Sequence, residues 1–311
     1  MSDVYDLIIA GGGPAGVASA VYAARKRLKT LMIVDEWGGQ SGVSADIQNW
    51  IGTPSISGTE LAKNLRAHVE SVGSDTLLVR SGIRAQSIST SDTSVTVTTS
   101  DGNTYTTRSL LIATGSTRRK LECAGAKEYD QKGLTYCASC DGPLFADKDV
   151  AVIGGGNAAL ETALQLLAYC KTVTLINRTD ALRADEITVA AAMAHPNFTI
   201  FKNAEITSIE GAQFVTGLKY KNIITNTETL LSIEGIFVEI GLVPTTQWIG
   251  ESVEMSPIKQ VKVDPRTQRT SHPRIWAAGD CTDGFYHQNN IAAGDAVKAL
   301  EDIYMTLHRG V

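Results

Sequence analysis

Residues 7–16 read Leu-Ile-Ile-Ala-Gly-Gly-Gly-Pro-Ala-Gly, an apolar strand that runs straight into glycines. An alanine-rich helical stretch follows, Val17 to Arg25, and then a second strand, Thr30 to Val34, ending in Asp35-Glu36. Strand, glycine turn, helix and strand make a βαβ unit. Gly11 permits the tight turn, Gly13 lets backbone N–H groups approach a ligand, and Gly16 lets the helix pack close to the sheet. Pro14 and Ala15 complete the turn between these glycines. The positive end of the dipole of the helix that follows faces the same point, which favours a pyrophosphate there.

The pattern returns later in the chain. Val150-Ala151-Val152-Ile153 meets Gly154-Gly155-Gly156-Asn157-Ala158-Ala159, a helix is predicted from Leu160 to Ala168, and a strand from Thr172 to Ile176 ends in Asn177-Arg178. One glycine turn alone is a weak signal. Two copies, each between strand and helix at matched spacing, predict two dinucleotide sites, with Gly154, Gly156 and Ala159 in the roles of Gly11, Gly13 and Gly16. The end of the second strand faces the adenosine ribose, where a carboxylate accepts from ribose hydroxyls and an arginine suits a 2′-phosphate. Asp35 and Glu36 therefore fit FAD or NAD. Arg178, with Arg183 as a second bidentate donor, points to NADPH; the alternative is that both arginines face water.

Between the two units, Ser94 to Thr99 alternates Val and Thr, turns at Asp101-Gly102 and resumes at Tyr105, the pattern of a hairpin. A second β-rich block spans Phe198 to Ile240, with a turn around Asn226-Thr227, and an amphipathic helix is expected from Ile291 to about Leu307. Thr114 to Thr117 and Gly241 to Pro244 read as hinges. The fold class expected is α/β, with two Rossmann-like, three-layer β/β/α dinucleotide-binding domains, the second inserted into the first. Residues 1–116 and 244–311 would form the discontinuous outer domain, and residues 117–243 the inner one.

A length of 311 residues suits two domains, and 43% hydrophobic with 20% charged residues is the composition of a globular protein. The net charge of −5 argues against nucleic acid or an anionic membrane as partner. No apolar run is long enough to span a bilayer and no secretory leader is visible, so the cytoplasm is the expected location.

Five cysteines are too few, and odd in number, for a disulfide framework. Only Cys137 and Cys140 stand at a telling distance, in Thr-Tyr-Cys-Ala-Ser-Cys-Asp-Gly-Pro over residues 135–143. Two intervening residues close a small, readily reduced disulfide and are also half of a zinc site. No second Cys or His pair completes a zinc set, so no metal is expected and the redox reading is preferred. Asp141 either relays a proton to the dithiol or only begins a turn with Gly142.

These residues bring the chain to a family. It resembles the low-molecular-weight thioredoxin reductases over essentially its whole length, and is similar to the reductase portion of the alkyl hydroperoxide reductase flavoprotein. The resemblance is carried by the Gly11–Gly16 turn, Gly38-Gly39-Gln40, Ile47-Gln48-Asn49-Trp50, Ala113-Thr114-Gly115, the segment Cys137 to Gly142, the Gly154–Ala159 turn and Ala278-Gly279-Asp280-Cys281. It implies FAD on the first turn, contacted by Gly39, Gln40, Asn49, Thr114 and Gly115. Gly279 and Asp280 would hold its ribityl and pyrophosphate region, with His287, Gln288 and Asn289 beside its ring. It further implies that Cys140 faces the flavin, that Cys137 exchanges with thioredoxin or a thioredoxin-like protein, that the inner domain rotates on its hinges, and that the protein is a homodimer. The chain departs from the family at Asn177-Arg178-Thr179, where one arginine of the NADPH motif is missing, and at His287, where the family has Arg or Lys. NADPH is thus the expected donor, with NADH, ferredoxin or a second flavin as alternatives. A flavin-binding redox sensor without turnover is the reading of another class.

Overall fold

The computed structural model describes residues 4–44, 47, 49–73, 75–136 and 138–309. In chain order the strands and α-helices of its first part are β1 (Tyr5–Gly12), α1 (Pro14–Arg25), β2 (Thr30–Trp37), α2 (Gly58–Val72), β3 (Leu77–Ser81), β4 (Ala85–Thr90), β5 (Val95–Thr99), β6 (Thr104–Ile112) and β7 (Ser116–Arg118). There follow β8 (Leu134–Thr135), α3 (Ala138–Asp141), β9 (Asp149–Ile153), α4 (Asn157–Leu167), β10 (Thr172–Ile176), α5 (Glu186–Met193), β11 (Phe198–Phe201), β12 (Ala204–Gly211), β13 (Val215–Asn222), β14 (Glu228–Ser232), β15 (Gly235–Val238) and β16 (Leu242–Pro244). The chain closes with β17 (Ile275–Ala277) and α6 (Asn289–Arg309). Two compact units result, one made of residues up to 117 together with those from 243 onward, the other of residues 118–242.

In the outer unit the sheet runs β3-β2-β1-β6-β5-β4, with β17 also paired to β6. The β1–β2, β2–β3, β1–β6 and β6–β17 pairs are parallel, whereas β4, β5 and β6 form an antiparallel meander. β1 is apolar at every central position because both of its faces are covered. Successive side chains point to opposite faces, so Leu7 and Ile9 pack under α1, α2 and α6. Ile8 and Ala10 join Val95, Val97 and Ile249 on the other side. α1 buries Ala20 and Ala23 completely, and such small side chains let it lie close to β1.

The inner unit repeats the plan. Its parallel sheet runs β11-β10-β9-β15-β8, and β12, β13 and β14 form a separate antiparallel sheet. Val150 and Val152 pack under α4 with Leu160, Ala163 and Leu166. Ala151 and Ile153 face the antiparallel sheet through Ile209 and Leu218. Helices, parallel sheet and antiparallel sheet are the three layers. Strand order reverses between β1 and β6 in one unit and between β9 and β15 in the other, and in open α/β sheets ligands bind at such points.

The bounds of four elements differ from the sequence reading. α1 begins at Pro14 rather than Val17, and α4 at Asn157 rather than Leu160. Each helix starts on the turn itself, and Pro14 is tolerated at the first position of α1 because it lacks only an N–H that has no intrahelical partner. β2 continues through Asp35 and Glu36 to Trp37, its register with β1 closing at Gly12 opposite Trp37. α6 is a turn longer than the predicted 291–307.

Candidate functional site

A cavity of about 330 Å³ opens at the C-terminal ends of β1, β2 and β6 in the outer unit. Its floor is the Gly11 turn. Gly11 has φ +133°, and a methyl there would sit 2.0 Å from the carbonyl oxygen of Ala113, so both conformation and space demand glycine. Gly16 lies beneath the turn, where a methyl would come 2.0 Å from the Gly11 carbonyl oxygen. Gly13 is the N-cap of α1, with extended backbone and no side-chain capping bond. The first-turn N–H groups of α1 thus remain available to an anion.

Gly11, Gly13, Pro14 and Ala15 line this cavity from one side, and Gly39, Gln40 and Asn289 from another. Thr114, Gly115, Gly279 and Asp280 close it below, while Asp35 and Glu36 lie at the end of β2. Asp35 pairs with Arg84 at 3.6 Å, and both are largely exposed. Gly16, Asn49, His287 and Gln288 are not among the lining residues. Asn49 instead donates from Nδ2 to Gln288 Oε1 at 3.1 Å, and its carbonyl accepts from Asn290 at 2.6 Å, tying two loops together. His287 keeps a buried Nε2 with no partner among the described residues. Burial pushes the Asp280 carboxyl above the usual carboxylate range, and His287 opposes the shift.

Three hydroxyl residues of this cavity carry no mark in the sequence pattern. Ser41 donates to Asn289 Oδ1 at 2.6 Å. Ser116 Oγ and Thr245 Oγ1 are buried, line the cavity and have no partner among the described residues. Orphaned buried hydroxyls are costly unless a ligand satisfies them. Unpartnered helix N–H groups, carboxylates at the far end and hydroxyls along the wall fit a dinucleotide such as FAD.

In the inner unit Gly154 has φ +142°, and a methyl on it would lie 2.2 Å from the carbonyl oxygen of Glu239 and 3.1 Å from Ala159 Cβ. Gly156, the N-cap of α4, faces open space. The segment at Arg183 clamps the turn, its N–H donating to the Gly155 carbonyl at 2.6 Å. Arg178 and Arg183 lie at the surface beyond β10, and neither guanidinium has a partner among the described residues. The side chain of one predicted ligand residue here, Asn157, is occupied structurally. Asn157 accepts from the Asp185 N–H at 2.7 Å and donates to the Asp185 carboxylate at 3.1 Å, so only its backbone is left for a nucleotide. Buried Asn177 shapes the following loop by donating to the carbonyls of Thr179 at 2.7 Å and Ala181 at 3.0 Å. Ala158 is exposed beside Asn157 at the start of α4.

Cys137 lies outside the described residues, as does the side chain of Cys140. Asp141, which closes α3, is half-buried and accepts a short hydrogen bond from the Thr135 hydroxyl on β8. It precedes the 3₁₀ turn Gly142–Phe145 but makes no side-chain capping bond to it. The carboxylate is thus held by β8 rather than by the turn it begins. Burial raises the thiol pKa of Cys170 to about 11 and of Cys281 to about 12, which leaves both unreactive near neutrality. Among the described residues no group of three His, Cys, Asp or Glu is placed to hold a metal. None of the described helices is long and apolar enough to cross a membrane.

Comparison with known proteins agrees with this geometry. The family model described as pyridine nucleotide-disulphide oxidoreductase matches residues 5–300. An alkyl hydroperoxide reductase component of Staphylococcus aureus is 39% identical over 295 residues, which make up 95% of this chain and 57% of that protein. The chain therefore spans little more than half the length of the curated relatives it matches. Thioredoxin reductase of Lactococcus lactis superposes with a TM-score of 0.90 at 32% identity, covering 98% of this chain and 99% of that one. For the thioredoxin reductase of T. acidophilum the TM-score is 0.86 at 35% identity, with 96% and 97% covered. With a match that runs across both glycine turns, the chain belongs to the pyridine nucleotide-disulphide oxidoreductase family and has the fold of a thioredoxin reductase.

Proposed function

We propose that the chain is a disulfide reductase that carries FAD on the Gly11 turn, takes electrons from NADPH on the Gly154 turn, and reduces a thioredoxin-like protein through a Cys137–Cys140 disulfide. The observation that carries this reading is the union in one chain of two glycine turns with a Cys-x-x-Cys segment between β8 and β9. Bound FAD supplies the two-electron chemistry that joins a nicotinamide to a disulfide. The chain's own residues do the rest. The N–H groups of Ala15 and Gly16 bind the flavin pyrophosphate, and Asp35 and Glu36 orient its ribose. Thr135 holds the Asp141 carboxylate, which moves a proton to and from the dithiol. Cys137 attacks the partner's disulfide as a thiolate, the thiol being far less nucleophilic.

Two surface guanidinia without partners among the described residues, at Arg178 and Arg183, support a 2′-phosphate and hence NADPH. The test is anaerobic mixing with each donor in turn, followed by a thioredoxin. NADPH should bleach the flavin within the turnover time, NADH should do so more slowly, and the thioredoxin disulfide should then open. A flavin left yellow by both nucleotides would refute the donor assignment.

A further inference from the structure

The nicotinamide half of the donor has no assigned partner, and the inner unit offers one. This step rests on the pyridine-nucleotide reading of the Gly154 turn. With the pyrophosphate on that turn, one half of the dinucleotide runs toward the end of β10, where Asn177 and Arg178 stand. The other half crosses the switch point toward β15. The first residue beyond β15 is Glu239, whose N–H donates to the Ile153 carbonyl at 2.8 Å and whose own carbonyl abuts Gly154.

The Glu239 side chain is only 11% exposed. Its Oε1 accepts from Arg118 at 2.7 Å and from the Thr162 hydroxyl of α4 at 3.1 Å. Oε2 has no partner among the described residues. Burial raises the carboxyl pKa, while Arg118 and then Thr162 pull it back; Glu161, exposed on α4, repels the same carboxylate. Two carboxylates and one guanidinium leave this end of the crevice with a net negative charge. Oε2 is not sealed from solvent, so a further donor can still reach it.

We propose that Glu239 receives the nicotinamide riboside, its free oxygen accepting from a ribose hydroxyl or the carboxamide N–H, and that its charge favours the oxidised ring. When the ring gives up a hydride, two electrons and a proton leave together for the flavin, and the ring becomes a pyridinium cation. A carboxylate at that place binds the product form more tightly than the uncharged donor. The bound couple becomes correspondingly more reducing, by about 30 mV for each tenfold preference in a two-electron couple.

Isothermal titration of the flavin-loaded chain with NADP⁺ and with 1,4,5,6-tetrahydro-NADP, whose ring is uncharged and inert to hydride loss, separates charge from shape. Glu239→Gln keeps an acceptor for Arg118 and Thr162 and is expected to weaken NADP⁺ about tenfold while leaving the tetrahydro analogue within about twofold. Glu161→Gln changes an exposed residue that makes no hydrogen bond to Arg118 or Glu239, so folding is not at stake. It should move the same ratio in the same direction by a smaller factor of about two. An unchanged ratio in both variants, or a lowered melting temperature of Glu239→Gln with the ratio intact, would overturn the proposal and leave Glu239 a purely structural residue. Failure of the unmodified chain to bind either nucleotide would instead refute the reading of the Gly154 turn on which the proposal rests.

Discussion

Alanine at Gly16 and at Gly156 should have opposite consequences, although both glycines belong to the same kind of turn. Gly16 is on α1, where replacing Gly by Ala ordinarily gains about 1 kcal/mol of helix propensity. Its methyl, however, would lie 2.0 Å from the Gly11 carbonyl oxygen and 2.8 Å from the carbonyl carbon. Relief to an ordinary contact requires a shift of roughly 1 Å, and the atoms that must move are backbone of the turn itself. Overpacking of this kind costs about 3 kcal/mol, the upper end of the usual range, because no flexible side chain can yield. Net of the helix gain, Gly16→Ala should lose about 2 kcal/mol. It should lower the urea midpoint at unchanged slope and release flavin more readily, read from the fluorescence of free FAD. At Gly156 the φ of −98° suits alanine and the methyl meets open space, so stability should stay within about 0.5 kcal/mol. The added methyl instead occupies the approach of the nucleotide, and NADP⁺ binding should weaken at least about tenfold, a penalty near 1.4 kcal/mol. An unaltered midpoint for Gly16→Ala, or early unfolding of Gly156→Ala, would refute this assignment of the two glycines.

Other substitutions probe the remaining links. Asp302 accepts from the fully buried Trp276 indole N–H at 2.9 Å and from Arg269, so Asp302→Ala should cost about 1–3 kcal/mol in urea unfolding and loosen α6 from β17. The Asp149 carboxyl is held below its ordinary value of 3.8, first by Lys171 and then by Thr172. Its contribution is therefore present above about that pH and lost as pH falls through the lower folded value. Asp149→Asn should thus cost about 0.5–1 kcal/mol at pH 7 and converge on the parent chain in melts as the pH falls well below 3.8. Asp141→Asn should slow reduction of a thioredoxin disulfide about a hundredfold in stopped-flow mixing, with the rate of flavin bleaching by the donor unaltered.

Both units are legible in the sequence because the residues that define them are local. The Gly11 and Gly154 turns, the Val–Thr hairpin and the strand Thr172–Ile176 each rest on neighbours a few positions apart. What the sequence hides depends on distant partners. Ser116 and Thr245 meet at one cavity from either end of the inserted segment, and their own residue types do not mark them as lining residues. Asn157 sits where a nucleotide ligand is expected, yet its side chain is engaged by Asp185 at the N-cap of α5. Arg118 and Glu239 form a partly buried pair across 121 positions, and each on its own reads as a surface charge. Apolar periodicity places the helix starts late because it begins only after the first turn, whereas each helix begins on its glycine turn.

The most direct test is an anaerobic dithionite titration of the flavin-loaded chain beside Cys137→Ser and Cys140→Ser. The parent chain should accept one electron pair for the flavin and a second for the disulfide, and each variant only the first. Equal uptake by all three proteins, or a chain that retains no flavin, would contradict it.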